Sequence, residues 1–241
     1  MHHPVLSSGE SGPATARWRP GLPASRHSEI FASGREASGA AAALALALDG
    51  LRAEGGEAKD VLPKDVLWVQ DRASLRLTGR PYRAGLPEPL RPRLIHVLAE
   101  TCEDALFALE EGLRCRDLGC VIGELAGNPW ALDFTASRRL SLAAEKHGVP
   151  LYLVRIDAKR DLSSARMRWE VRGASSPRPR WNDDAPGSPA WCAELFRARA
   201  HPPGKWILHD DGIRLVARPK VGAPDHGDLA AAAGDRSLAA R

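Results

Sequence analysis

The sequence predicts an α/β fold: a phosphate-loop core with a parallel sheet flanked by helices, an antiparallel extension at one edge, and flexible tails. Three observations carry this reading. Short apolar runs of strand length alternate with helix-length segments, the order that gives parallel strands joined by right-handed crossovers. Two glycines, Gly34 and Gly39, stand between the first such run and the first helix, at the spacing of a phosphate-binding loop. Beyond residue 165 the helical periodicity stops, and strand-like runs follow one another through turn signals.

Residues 1–25 are rich in Pro, Gly, Ser and Arg without periodicity, and read as a flexible basic arm. The core is expected over residues 26–216. Glu29-Ile30-Phe31 reads as the end of a first strand, and the alanine- and leucine-rich Gly39–Ala53 as a helix that Gly55-Gly56 stops. Val66–Gln70 is a short apolar strand. The arginine-rich segment after it, with Gly79 and Pro81, reads as a polar loop. A second strand follows at Leu94–Leu98. Thr101 has the character of an N-cap, with Glu103 and Asp104 in the first turn, where carboxylates suit the positive helix end. Leu106, Leu109 and Leu113 then mark one buried face. Gly119–Glu124 is a third strand. Phe134–His147 is a helix closed by Gly148 and Pro150, and Leu151–Arg155 is a fourth strand. The runs Ala165–Val171, Trp191–Arg199, Lys205–His209 and Ile213–Ala217, with a hairpin signal at Asp210-Asp211-Gly212, form the antiparallel extension. Residues 217–241 read as a second flexible tail, in which Leu229–Ala233 has the composition for a turn of helix.

Composition narrows the function classes. The chain has 241 residues, 44% apolar, enough for a substantial core. Its longest apolar run, Ala40–Leu48, is too short to span a bilayer, so no membrane partner is expected. Met1–Ser25 has no apolar stretch followed by a small-residue cleavage site, and a soluble cytoplasmic protein is expected. The net charge of +4 is compatible with a nucleic-acid partner without arguing for one. Cys102, Cys115, Cys120 and Cys192 form no C-x-x-C pair, so they are read as reduced thiols and no metal is expected. Trp68, Trp130, Trp169, Trp191 and Trp206 are expected in core or edge packing.

The chemistry centres on Gly34-Arg35-Glu36-Ala37-Ser38-Gly39-Ala40-Ala41. A working phosphate loop uses backbone N–H groups at a helix N-terminus, a lysine that reaches the terminal phosphates and a hydroxyl that holds magnesium. Ala40 occupies the lysine position and Ala41 the hydroxyl position. Glu124 ends the third strand, where a phosphate-loop ATPase carries the acid that orients magnesium and water. The other reading of Glu124 is a strand-end carboxylate capping the next turn.

The run SEIF…GREASG is similar to the strand and loop of RecA-type recombinases. The block LIHVLAETCEDALFALEEGLRCRDLGCVIGEL resembles their strand–helix–strand segment, and RRLSLAAEKHGVPLYLVR the helix and strand that follow. GREASGAA, VLWVQDR, GRPYRAGL, LDFTASRRLSLAAEKHGVPLYLVR, SSARMRWEV and AWCAELFRARAHPPGKWIL together resemble the ImuA family, the RecA-like members of a bacterial mutagenesis cassette, over roughly residues 27–210. The resemblance implies a RecA-like core and a role in damage-induced (SOS) translesion synthesis. It implies as partners an ImuB-type inactive Y-family polymerase relative, RecA, and an error-prone replicative-type polymerase. Gly34 and Gly39 match the recombinase loop. Where the recombinase has a catalytic glutamate after its second strand, this chain has Gln70-Asp71-Arg72, and where it has a polar sensor, usually glutamine, this chain has Arg155. A lost charge clamp and a lost metal ligand each remove several kcal/mol of transition-state stabilisation. The chain is therefore not expected to be an ATPase; no cofactor is required, and ATP held by the surviving backbone cradle is not expected to be hydrolysed.

For DNA, basic residues interleaved with an aromatic suit a single strand. Arg155, Lys159, Arg160, Arg166 and Arg168, beside Trp169, form one candidate set, and Arg72, Arg76, Arg80 and Arg83 form another. The alternative for both is an ordinary solvated charged face.

Overall fold

The computed structural model describes residues 26–54, 64–179, 182, 185, 187–199, 201–211 and 214–220. The basic arm over 1–25, the Gly55-Gly56 stop, Gly212 of the hairpin signal and the segment 221–241 lie outside the described residues.

Strand β1 (His27–Ala32) leads through a short loop into helix α1 (Ser38–Glu54). Then come β2 (Asp65–Asp71), a short helix α2 (Arg72–Thr78), two 3-10 turns (Arg83–Gly85 and Glu88–Arg93) and β3 (Leu94–Ala99). Helix α3 (Cys102–Arg114), β4 (Leu118–Ala126), α4 (Phe134–His147) and β5 (Leu151–Ile156) complete the alternating half. The strands β6 (Met167–Ala174), β7 (Ala190–Ala198), β8 (Gly204–Asp210) and β9 (Leu215–Pro219) follow without a helix. Among the described residues they form one nine-stranded sheet in the order β3-β2-β4-β5-β1-β6-β7-β8-β9.

Helix α1 covers one face, packing Ala42, Ala43, Leu46 and Leu48 into a core with Ile30, Val66, Ile122, Val154 and Trp169. Gly39 lets it sit close: a Cβ there would lie 2.6 Å from Ala32 Cβ and 2.9 Å from Val154 Cγ1. Helices α3 and α4 cover the other face through Leu106, Leu109, Leu113 and Leu140. Their ends follow the expected capping. Thr101 accepts the Asp104 N–H at 3.1 Å, and Gly148 takes a left-handed conformation after α4.

Four expectations are corrected. The segment after β2 is not all loop: Arg72–Thr78 is helical, because the Asp71 carboxylate accepts the Ser74 N–H at 2.7 Å and caps it. The antiparallel extension begins at β7, not with the run at 165–171, since β6 is parallel to β1. The connection over 157–166 crosses from β5 past β1 without a helix, so the periodicity that usually announces a crossover is missing. β9 carries the sheet to Pro219, and Lys220 N–H still donates to the Lys205 carbonyl at 2.8 Å, so the sheet extends past the limit of 216. Trp130 is not packed but 84% exposed.

Candidate functional site

The loop over 33–37 sits at the carboxyl ends of β1, β5 and β6, the edge of an α/β sheet where ligands usually bind. Three of its backbone N–H groups and the Glu36 carboxylate are taken up from within. Gly34 N–H donates to Asp157 Oδ1 at 3.0 Å, and a Cβ on Gly34 would lie 2.7 Å from Asp157 Oδ2. Arg35 N–H donates to Ser33 Oγ at 3.2 Å, and Glu36 N–H to the Ser33 carbonyl at 3.4 Å. The Glu36 carboxylate reaches across to accept the Gly173 N–H of β6 at 3.1 Å. Asp157 holds a left-handed φ of 51°, a conformation that a non-glycine residue keeps only when its surroundings fix it. Ala37 lies in the loop; Ala40 and Ala41 lie on α1 and pack against its apolar core.

A cleft of about 570 Å³ opens beside this loop. Arg35, Arg160 and Arg172 line it, and so do Glu36, Asp157 and Glu170, so its formal charges cancel. Arg160 and Arg172 both pair with Glu170. Burial pushes the Glu170 carboxyl up, but the hydrogen bonds from Arg172 and Arg160 outweigh it and hold it below the usual range. The Arg160 guanidinium also lies 3.8 Å from the centre of the Phe196 ring.

Beneath the cleft lies a buried ionic cluster. Glu29 of β1 is fully buried; Arg168 of β6 donates to its Oε2 at 2.8 Å and Ser163 to its Oε1 at 2.7 Å. Arg155 of β5, 1% exposed, stands 3.7 Å from Glu29 and donates to Asp161 Oδ2 at 3.3 Å and the Gly127 carbonyl at 3.2 Å. Arg168 lies 3.7 Å from Asp161. The Phe31 ring lies within 5.6 Å of both guanidiniums. Two arginines thus face two carboxylates, the balance that burial of charge demands.

Glu124 does not meet the loop. It lies two residues inside the end of β4, and β5 stands between β4 and β1. Its buried carboxylate accepts Trp68 Nε1 at 2.6 Å and Thr78 Oγ1 at 2.8 Å, and its carbonyl accepts the Ser74 hydroxyl at 2.9 Å. It therefore fastens α2 to the sheet, neither facing the loop nor capping the next turn. Burial holds its pKa above the ordinary value despite these donors. Asp71 is committed to the α2 cap, and Gln70 Nε2 donates to the Gly79 carbonyl at 2.9 Å.

The expected DNA contacts separate into three kinds. Arg155 and Arg168 are buried in the ionic cluster and out of reach of a surface phosphate. Arg72 pairs with Glu100, Arg160 with Glu170 and Arg166 with Glu145, while Arg83 donates to the Leu94 carbonyl at 2.9 Å. Arg76, Arg80 and Lys159 are exposed and make no ion pair among the described residues. Sequence reasoning missed Glu29, Asp157 and Asp161. A charged residue inside an apolar strand run, as in His27–Ala32 or Leu151–Ile156, was the available signal for a buried pair.

Fold and site define an α/β protein whose loop of phosphate-binding spacing is closed by its own side chains. No helix among the described residues is long and apolar enough to cross a membrane. No family model matches the chain. It is 34% identical over 253 residues to Protein ImuA from two strains of Caulobacter vibrioides, an alignment covering 97% of this chain and 96% of the relative. The chain belongs to the ImuA family.

Proposed function

We propose that this chain is a non-hydrolytic, RecA-like accessory protein for damage-induced (SOS) translesion synthesis. It acts by binding an ImuB-type polymerase relative, RecA and/or DNA. The occupied loop supports this reading most directly. The Gly34 N–H, one of the groups that would cradle a phosphate, meets Asp157, and alanine methyls stand where a lysine and a magnesium-holding hydroxyl are needed. The three carboxylates of the cleft offset its three arginines, so it offers an anion no net positive charge. These residues do not fit ATP with magnesium.

The purified chain should hydrolyse ATP no faster than a buffer blank, with or without DNA, and should bind the polymerase-like partner in a titration. Turnover at the rate of a working recombinase would overturn the non-hydrolytic reading, and absence of partner binding the accessory one. DNA binding rests on Arg76, Arg80 and Lys159, the expected contacts that are exposed and unpaired among the described residues. Fluorescence anisotropy with a single-stranded oligonucleotide should give a log–log salt slope no steeper than about −2, since three contacts release about 0.7 counterion each. A much steeper slope would place the DNA elsewhere.

One observation favours a second reading, nucleotide held without turnover. Ser38, first residue of α1, is buried, and its hydroxyl has no hydrogen-bond partner among the described residues. Calorimetry with ATP and magnesium separates the two readings: heat of binding supports the second, its absence the first.

A further inference from the structure

From an exposed apolar ridge beside the cleft, we infer that the chain docks an acidic amphipathic segment of a protein partner. Trp130 is 84% exposed, Leu162 77% and Phe134 49%. These side chains stand on pinned backbone. Asn128 donates to the Lys159 carbonyl at 3.1 Å and to Asp161 at 2.7 Å, and accepts the Lys159 N–H at 2.7 Å. On α4, Ser137 accepts the Ser164 N–H at 2.9 Å and lies 2.9 Å from the Ser163 hydroxyl. The loop carrying Leu162 is thereby held against the turn carrying Trp130 and the first turn of α4, which carries Phe134. The ridge continues along α4, where Phe134, Arg138 and Leu142 (52% exposed) follow at four-residue spacing on one outer face. Large apolar groups held out in water on fixed backbone mark an interaction site, and a tryptophan is the commonest anchor of one.

The charges name the partner. Of the carboxylates on these segments, Glu145 is paired with Arg166 and Asp161 with Arg155, while Asp133 and Asp157 accept only the backbone N–H of Ala136 and of Gly34 and keep their charge. Arg138, Lys146 (four residues beyond Leu142 on α4) and Lys159 are exposed and make no ion pair among the described residues. Three unpaired cations against two unpaired carboxylates leave the margin of the apolar anchors net positive. An amphipathic segment with leucine-like groups on one side and carboxylates at its margin complements both. Single-stranded DNA would use Trp130, Phe134 and the cations but gains nothing from Leu162 and Leu142, which present no flat face for stacking.

The surface stands on geometry; its partner being a protein rests on the accessory reading above. The test measures the affinity of the full chain for the purified polymerase-like partner. Trp130→Ala and Leu162→Ala should each weaken binding about thirtyfold, the size of an anchor's loss. Arg138→Glu with Lys159→Glu should weaken it and flatten its salt dependence. Leu77→Ala, an exposed apolar residue on α2, should leave it unchanged, and all variants should melt like the parent. Equal binding by parent and ridge variants overturns the ridge but leaves the accessory reading standing. No binding by the parent overturns both. Ridge variants that lose a dT oligonucleotide, or self-association in sedimentation, while keeping the partner would assign the ridge to DNA or to a second copy and overturn the inference.

Discussion

Glu29 shows how much one buried carboxylate can organise. It neutralises Arg168 directly and Arg155 at longer range, and Asp161 completes the balance from the β5–β6 connection. A charged group pays heavily for leaving water, so removing one partner costs more than the pair contributes. Glu29→Gln should destabilise the chain by about 3–5 kcal/mol, and calorimetry should show a melting temperature lower by roughly 10 °C. An unchanged melting temperature would mean that water already screens the cluster. His27, on the same strand, gives a pH signature. It is fully buried with Nδ1 2.7 Å from Ser141 Oγ, and burial first, then the Arg166 charge, lower its pKa from 6.5 to about 3. Between those values the unfolded chain binds a proton that the folded chain refuses. Stability is therefore full above about 6.5 and is lost as pH falls towards about 3. His27→Asn should flatten that loss in urea titrations at about pH 7 and about pH 4; an identical slope would exclude His27 as its source. Of these residues the sequence exposed only the types: a glutamate or arginine inside an apolar run is visible, but its partner 139 positions away, as for Arg168 and Glu29, is not.

At the scale of elements, α1 is the informative case. Helix propensity alone would make Gly39→Ala stabilising by up to about 1 kcal/mol. Packing opposes it, because the new methyl would meet Ala32 and Val154 inside 3 Å, and overpacking costs about 1–3 kcal/mol. The clash should win, giving a net loss in denaturant unfolding; a gain would show that α1 can lift from the sheet. This glycine thus acts through close helix–sheet contact, a role that its spacing from Gly34 does not reveal. Most elements were legible because their signals are local: an apolar run, a capping threonine, a glycine with a proline beyond it. α2 was not, since its seven residues carry four charged or polar groups and no long apolar face, and only the Asp71–Ser74 cap marks it. The direction of β6 was not legible either, because strand direction is set by where the connection crosses and not by the strand's own residues.

For the whole molecule, the question is what joins the antiparallel extension to the parallel core. The sheet is continuous through β1, β6 and β7, and α1 adds a second tie. Asp49 of α1 accepts the Leu215 N–H of β9 at 2.8 Å, and Arg52 lies 3.7 Å from Asp210. The last strand therefore belongs to the core, although Ala217-Arg218-Pro219-Lys220 has the composition of a tail. A proline is tolerated there because β9 is the edge strand of the sheet among the described residues. This yields a test of the boundary. A chain ending at Lys220 keeps β9, whereas one ending at Arg214 loses it, strips Leu208 and the core of their Leu215 contact, and leaves β8 as a bare edge. The shorter chain should melt several degrees lower and associate as its concentration rises, because an unpaired strand edge recruits another. Equal melting and equal dispersity of the two chains would mean that the fold ends at β8 and that α1 gains nothing from reaching across to β9.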